Sequence, residues 1–109
     1  MKQRLASIIG LLPEKVEEYK KLHTNIWPQV AASTKAYHIS NYSIYLHEFP
    51  DGKIYLFSFL EYDGDDFEED IAEMETNPVV QEWQQRCAAC QIALSDHGWA
   101  QLVEVFHLD

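Results

Sequence analysis

Ile39-Ser40-Asn41-Tyr42-Ser43-Ile44-Tyr45-Leu46-His47-Glu48-Phe49-Pro50-Asp51-Gly52-Lys53-Ile54-Tyr55-Leu56-Phe57-Ser58-Phe59-Leu60-Glu61-Tyr62 decides the fold. Two runs rich in β-branched and aromatic residues, Ile39 to His47 and Lys53 to Tyr62, flank Phe49-Pro50-Asp51-Gly52. Pro presets φ and Gly supplies a positive φ, so the segment predicts a β-hairpin with a chemical cause for its turn. In the second run Ile54, Leu56 and Leu60 point one way and Tyr55, Phe57 and Phe59 the other. A strand apolar on both faces needs cover on both faces.

Working outward, Arg4 to Leu12 reads as a strand, again apolar on both sides. Pro13 sits where a helix tolerates a missing N–H, and Glu14, Glu17 and Glu18 suit the positive end of the helix dipole. Val16, Tyr19, Leu22, His23 and Ile26 recur at helical spacing, and Pro28 either kinks this helix or opens a second one to about Tyr37. Beyond the hairpin, Asp63-Gly64-Asp65-Asp66 reads as a loop and cap for a helix over Phe67 to Glu75. Asn77-Pro78 then starts a helix expected to reach about Leu94, burying Val79 or Val80, Trp83 and Cys87. Ala100 to Leu108 is expected as a last strand. The order β-α-β-β-α-β predicts an α+β, ferredoxin-like, four-stranded antiparallel sheet with helices on one face, in one domain over 1–109. The uncovered apolar face predicts a homodimer packed sheet to sheet.

The chain has 109 residues, eight Lys/Arg against eighteen Asp/Glu, and a net charge of −10. Residues 1–53 hold seven bases and five acids; residues 54–109 hold one base and thirteen acids. Such an acidic chain with no basic stripe repels phosphate backbones and anionic lipid surfaces, which argues against nucleic-acid and membrane partners. Met1 to Leu12 has a basic start, but its apolar run is too short for a signal peptide and no small-residue cleavage site follows. Cys87 and Cys90 give no disulfide framework, so a reduced cytoplasmic setting is expected.

Few residues carry candidate chemistry. Tyr19 and His23 are i and i+4, neighbours on one helix face. A neutral imidazole both gives and takes protons at physiological pH, and a phenol beside it orients hydroxylated ligands. On spacing alone, a core His packed on a core Tyr is the more ordinary reading. Asn41, Tyr42, Ser43 and Tyr45 suit an uncharged polyhydroxy ligand, although Tyr is common in strands for packing reasons. Trp27, Trp83 and Trp99 can stack on a sugar or simply fill the core. Cys87-Ala88-Ala89-Cys90 falls late in a predicted helix, away from the N-terminal position that activates a redox thiol. No His spacing or Gly-rich loop supports a metal or phosphate site, and no cofactor is expected.

Glu18-Tyr19-x-x-x-His23-x-x-Ile26-Trp27-Pro28 and Asn41-Tyr42-Ser43-Ile44-Tyr45-Leu46 together resemble the L-rhamnose mutarotase family. Pro78-x-x-Gln81-Glu82-Trp83, Cys90-Gln91 and Glu104-Val105-Phe106-His107-Leu108 extend the likeness over nearly the whole chain. The resemblance implies a dimeric α+β barrel that interconverts the α and β anomers of L-rhamnose without a cofactor. It further implies that His23 is the catalytic proton donor and that Tyr19 and Tyr42 contact the sugar. Trp83 matches the first of an adjacent Trp pair lining the sugar site, and Gln84 stands where the family has the second. Gln84 offers hydrogen bonds where a flat ring would stack, which leaves L-fucose or another aldose open beside L-rhamnose. Two other classes stay in view: a cofactor-free monooxygenase on the same fold, and a non-catalytic sugar-binding module.

Overall fold

A computed structural model describes residues 2–109; Met1, part of the leader-like stretch read above, lies outside them. The strands are β1 (Gln3–Leu11), β2 (Ile39–Glu48), β3 (Ile54–Tyr62), β4 (Gln91–Ile92) and β5 (Ala100–Gln101). The helices are α1 (Val16–Thr24), α2 (Pro28–Ala36), α3 (Phe67–Met74) and α4 (Pro78–Ala88), with a short 3₁₀ turn, Pro13–Lys15, leading into α1. The sheet is antiparallel in the order β2-β3-β1-β4, and β5 also pairs with β1. This is the expected α+β arrangement. Pro28 opens a second helix instead of kinking the first.

Local chemistry explains most boundaries. In the hairpin, Gly52 N–H donates to the Phe49 carbonyl (2.9 Å) and Phe49 N–H to the Lys53 carbonyl (2.8 Å), with Gly52 at φ 86°. Asp66 caps α3 by accepting from Glu69 N–H (3.1 Å), and Asn77 caps α4 by accepting from Val79 N–H (2.9 Å). Ile9, Leu11, Ile54 and Leu56 on one sheet face pack with Tyr19, Val30, Trp83 and Cys87 from the helices. Burying each large aliphatic side chain there is worth about 1.5–3 kcal/mol.

Two expectations fail at the free edge of β1. The last helix ends at Ala88, not near Leu94, and Cys90 is buried in the turn that follows. Leu12 N–H donates to the Cys90 carbonyl (2.9 Å), and Gly10 and Leu11 pair with Ile92 and Gln91. Unpaired backbone groups along β1 demand partners more strongly than one further helical turn would satisfy. Gly10 permits the approach, since a Cβ there would lie 2.9 Å from Ile92 Cβ.

The last strand is also shorter than expected. Only Ala100–Gln101 joins the ladder, opposite Ile8 and Ser7, and Leu102 N–H adds one bond to the Ala6 carbonyl (2.8 Å). Past that point the tail follows the same register through a side-chain pair, Arg4 Nε to Glu104 Oε1 at 3.0 Å. Val103, Val105, Phe106 and Leu108 are exposed, and among the described residues none covers them to fix a strand. Among the described residues, no helix is long and apolar enough to cross a membrane.

Candidate functional site

The helices and the inner sheet face enclose a cleft of about 1360 Å³, lined among others by Tyr19, His23, Tyr42, Trp83 and Gln84. All five residues singled out in the sequence thus meet in one place. The cleft exceeds the ~300–1,000 Å³ of ordinary small-molecule sites, so a compact ligand fills only part of it.

Helix α1 supplies two of the five. Tyr19 is buried, and its ring stacks on His23 with centroids 4.3 Å apart and planes at 30°. His23 Nδ1 lies 3.0 Å from the Tyr19 carbonyl oxygen. A carbonyl only accepts, so Nδ1 carries the proton, and in the neutral ring Nε2 keeps its lone pair. The helix therefore fixes both the tautomer and the direction of the imidazole. Trp83 from α4 meets His23 edge-on at 5.2 Å, and Trp27 meets Trp83 at 5.3 Å. The Arg86 guanidinium sits 5.5 Å above the Trp27 ring and closes the row of rings.

Tyr42 comes from β2 across the cleft. The residue is 48% exposed, yet burial around its phenol, with a smaller contribution from Cys87, raises the pKa above the ordinary tyrosine value. Burial likewise drives Tyr19 far above that value, with Cys87 adding to it. Both phenols hold their protons at neutral pH and can donate hydrogen bonds. The pairing of β2 with β3 shifts register between Ser40 and Ser43, the stretch that holds Tyr42.

Sequence reasoning missed Gln91 as a functional residue. It lies in β4, opposite Leu11, and its Nε2 donates to the Tyr19 hydroxyl at 3.3 Å. The Tyr19 oxygen thus accepts from Gln91, and its own proton is free to point at a ligand. No periodicity marks Gln91, because a two-residue strand has no period. Cys87 and Trp99 also line the cleft.

The Cys87-x-x-Cys90 thiols are free and buried. Burial, then Cys90, pushes Cys87 up to about 12; burial, then the Glu18 hydrogen bond, pushes Cys90 up to about 11. Cys90 Sγ donates to Glu18 Oε2 at 3.3 Å. Neutral thiols are poor nucleophiles and poor metal ligands. Among the described residues, no three His, Cys, Asp or Glu side chains are grouped to hold a metal ion. The arrangement suits an uncharged polyhydroxy ligand: one imidazole nitrogen exchanges a proton, phenols and amides meet hydroxyls, and an indole faces apolar surface.

The chain matches the family model described as L-rhamnose mutarotase over residues 4–108. It is 38% identical over 109 residues to the L-rhamnose mutarotase of Bacillus subtilis, covering 98% of this chain and 99% of that protein. Identity to the Listeria monocytogenes L-rhamnose mutarotase is 40% over 81 residues, 74% of this chain and 72% of that one. The crystal structure of an L-rhamnose mutarotase from Formosa agariphila superposes with a TM-score of 0.73 at 26% identity, covering 98% and 99% of the two chains. Tetracenomycin F2 cyclase of Streptomyces glaucescens shares the fold at 14% identity, with a TM-score of 0.66.

Proposed function

The chain belongs to the L-rhamnose mutarotase family, and from that premise we propose that it interconverts the α and β anomers of L-rhamnose or a related 6-deoxyhexose. Family membership makes it a carbohydrate isomerase; the residue roles and the ring-opening route are the proposal's own. The observation that carries them is His23, its Nδ1 committed to the Tyr19 carbonyl, beside Trp83 in the cleft.

His23 Nε2 takes the proton from the anomeric hydroxyl. As the C1–ring-oxygen bond breaks, the imidazolium returns a proton to the ring oxygen, directly or through a water. The aldehyde rotates about C1–C2. Closure on the other face reverses both transfers, so protons balance and no electron donor or acceptor is needed. Tyr19 and Tyr42 hold sugar hydroxyls, Trp83 packs against the ring, and Gln84 adds a hydrogen-bonding amide. One positioned acid/base contributes about 10²–10⁴-fold.

Saturation-difference NMR of anomer exchange on L-rhamnose and L-fucose tests this. The wild-type chain should accelerate exchange, and His23→Ala should slow it about 10²–10⁴-fold. Equal rates in the two proteins would sink the assignment. Sugar binding by calorimetry with no exchange would favour a binding module, and oxygen uptake with a quinol a monooxygenase.

A homodimer belongs to the same proposal. Ala6, Ile8, Tyr45, Phe57 and Phe59 share the sheet face turned away from the helices, by the pairings Ile8 to Phe57, Ala6 to Phe59 and Tyr45 to Phe57. Tyr45 is 64% exposed. A contiguous apolar face of this kind suits a second copy of itself. We place the whole as one unit, 1–109, in a reducing cytoplasm that keeps Cys87 and Cys90 as thiols.

A further inference from the structure

Strand β2 carries inward anchors of opposite parity. Ile39 is 4% exposed and faces Tyr62, while Ile44 and Leu46 pair with Ser58 and Leu56 on the same side of the sheet. In an unbroken strand odd and even positions take opposite faces, so an inward Ile39 would turn Tyr42 away from the cleft. One extra residue resolves the conflict. Ser40 pairs with Glu61 and Ser43 with Phe59, leaving Asn41 and Tyr42 together opposite Leu60. Asn41 adopts φ 49°, a left-handed conformation that Asn tolerates better than most residues with a side chain. Its Nδ2 donates to Glu61 Oε1 at 3.1 Å, and Lys2 Nζ lies 3.9 Å from the same oxygen.

We propose that Asn41 is a positioning residue: the bulge its left-handed backbone allows opposite Leu60 turns the Tyr42 phenol into the sugar cleft. Bulges re-aim side chains in this way beside active sites. The consequence for rate rests on Tyr42 contacting the sugar; the consequence for where Tyr42 points does not.

The test measures anomer exchange and, separately, titrates a ¹³C-labelled Tyr42 ring. Asn41→Gly keeps the left-handed backbone and Glu61→Gln keeps an acceptor, so both should stay within about threefold of wild type. Asn41→Val, β-branched where φ is positive, should be about ten- to a hundredfold slower. Adding Tyr42→Phe to Asn41→Val should then cost little more, since the phenol has already left the site. Losses that multiply, or an Asn41→Val rate equal to wild type when Tyr42→Phe alone is slow, overturn the inference. A Tyr42→Phe variant as fast as wild type would defeat the sugar-contact reading, and the titration then decides positioning by itself. The phenol pKa should remain raised in Asn41→Gly and fall to the ordinary tyrosine value in Asn41→Val; a raised value in folded Asn41→Val overturns the inference. Should Asn41→Val fail to fold, Asn41→Ala, which also disfavours a positive φ, replaces it in both measurements with the same criteria, and Asn41→Gly serves as its rescue.

Discussion

The two faces of the sheet come from the same strands and differ in kind. The inner face interleaves Ile9, Leu11 and Leu56 with polar groups that all have uses: the Ser7–Ser58 hydroxyl pair, Tyr42 above the cleft, and Gln91 on the Tyr19 hydroxyl. The outer face carries Ile8, Tyr45, Tyr55, Phe57 and Phe59, with the Arg4–Glu104 ion pair at one end. Helices roof the first, and among the described residues no helix roofs the second. A hydrogen bond under a roof is strengthened by the low local dielectric, so specific polar chemistry sits there. An open aromatic face has no such shelter, and association with a second copy is the use proposed for it.

The contrast breaks most severely if the inner face is not the core. Leu56 is 2% exposed, so Leu56→Ala should lower the unfolding free energy by about 2–5 kcal/mol at fixed protein concentration. A loss below about 1 kcal/mol in denaturant titration would refute the packing described. Phe57→Asp attacks the other face. Sedimentation should show the dimer replaced by monomer, because two copies each lose an aromatic burial of about 1.5–3 kcal/mol and gain a charge. A wild-type chain that sediments as monomer would remove the association half of the comparison.

A smaller effect sharpens the inner face. Gln91→Leu removes the donor to Tyr19, and a net hydrogen bond of about 0.5–1.5 kcal/mol predicts exchange slowed about two- to tenfold. No slowing would leave Gln91 without a role. The smallest effect lies at the rim of the outer face. The Arg4 hydrogen bond holds the Glu104 carboxyl below the usual carboxylate range, and His107 does the same for Asp109. A depressed carboxyl stabilises the ordered tail above its unfolded pKa, and that contribution is lost as pH falls through the folded value. The protection of the Leu102 amide, relative to its intrinsic exchange rate at each pH, should therefore fall below about pH 4, while Leu56 stays protected. Unchanged Leu102 protection in that range would show that the ion pair does not hold the tail.

Legibility followed the range of the interaction. Pro50-Asp51-Gly52 was readable because the turn's dihedral needs are met within four residues, and Tyr19 with His23 because the helix period makes them neighbours. Trp83 was legible as one of three rings able to stack on a sugar, but family resemblance alone singled it out, and Gln84 was legible only through that resemblance. The α4 end, β4 and Gln91 were not legible, since each is defined by the free edge of β1, some 80 residues away along the chain, whereas β5 was legible at its start, Ala100, and not in its length. The tail misled because Val103, Val105 and Phe106 are strand-favouring residue types, although past Leu102 no ladder partner among the described residues holds it.

The sequence by itself determined the α+β order, the hairpin, the helix caps, the acidic balance and the five residues that the cleft brings together. Each depends on chemistry within about one turn or one strand, or on residues matched to a family. Tertiary structure alone decided how those residues act. Nδ1 of His23 is committed because α1 brings the Tyr19 carbonyl to it, and Tyr42 faces the cleft because Asn41 absorbs one residue of register opposite Leu60. Strand parity is a local rule, but where it is broken depends on which residues on both sides of the break must be buried. That requirement exists only once the helices have closed over the sheet.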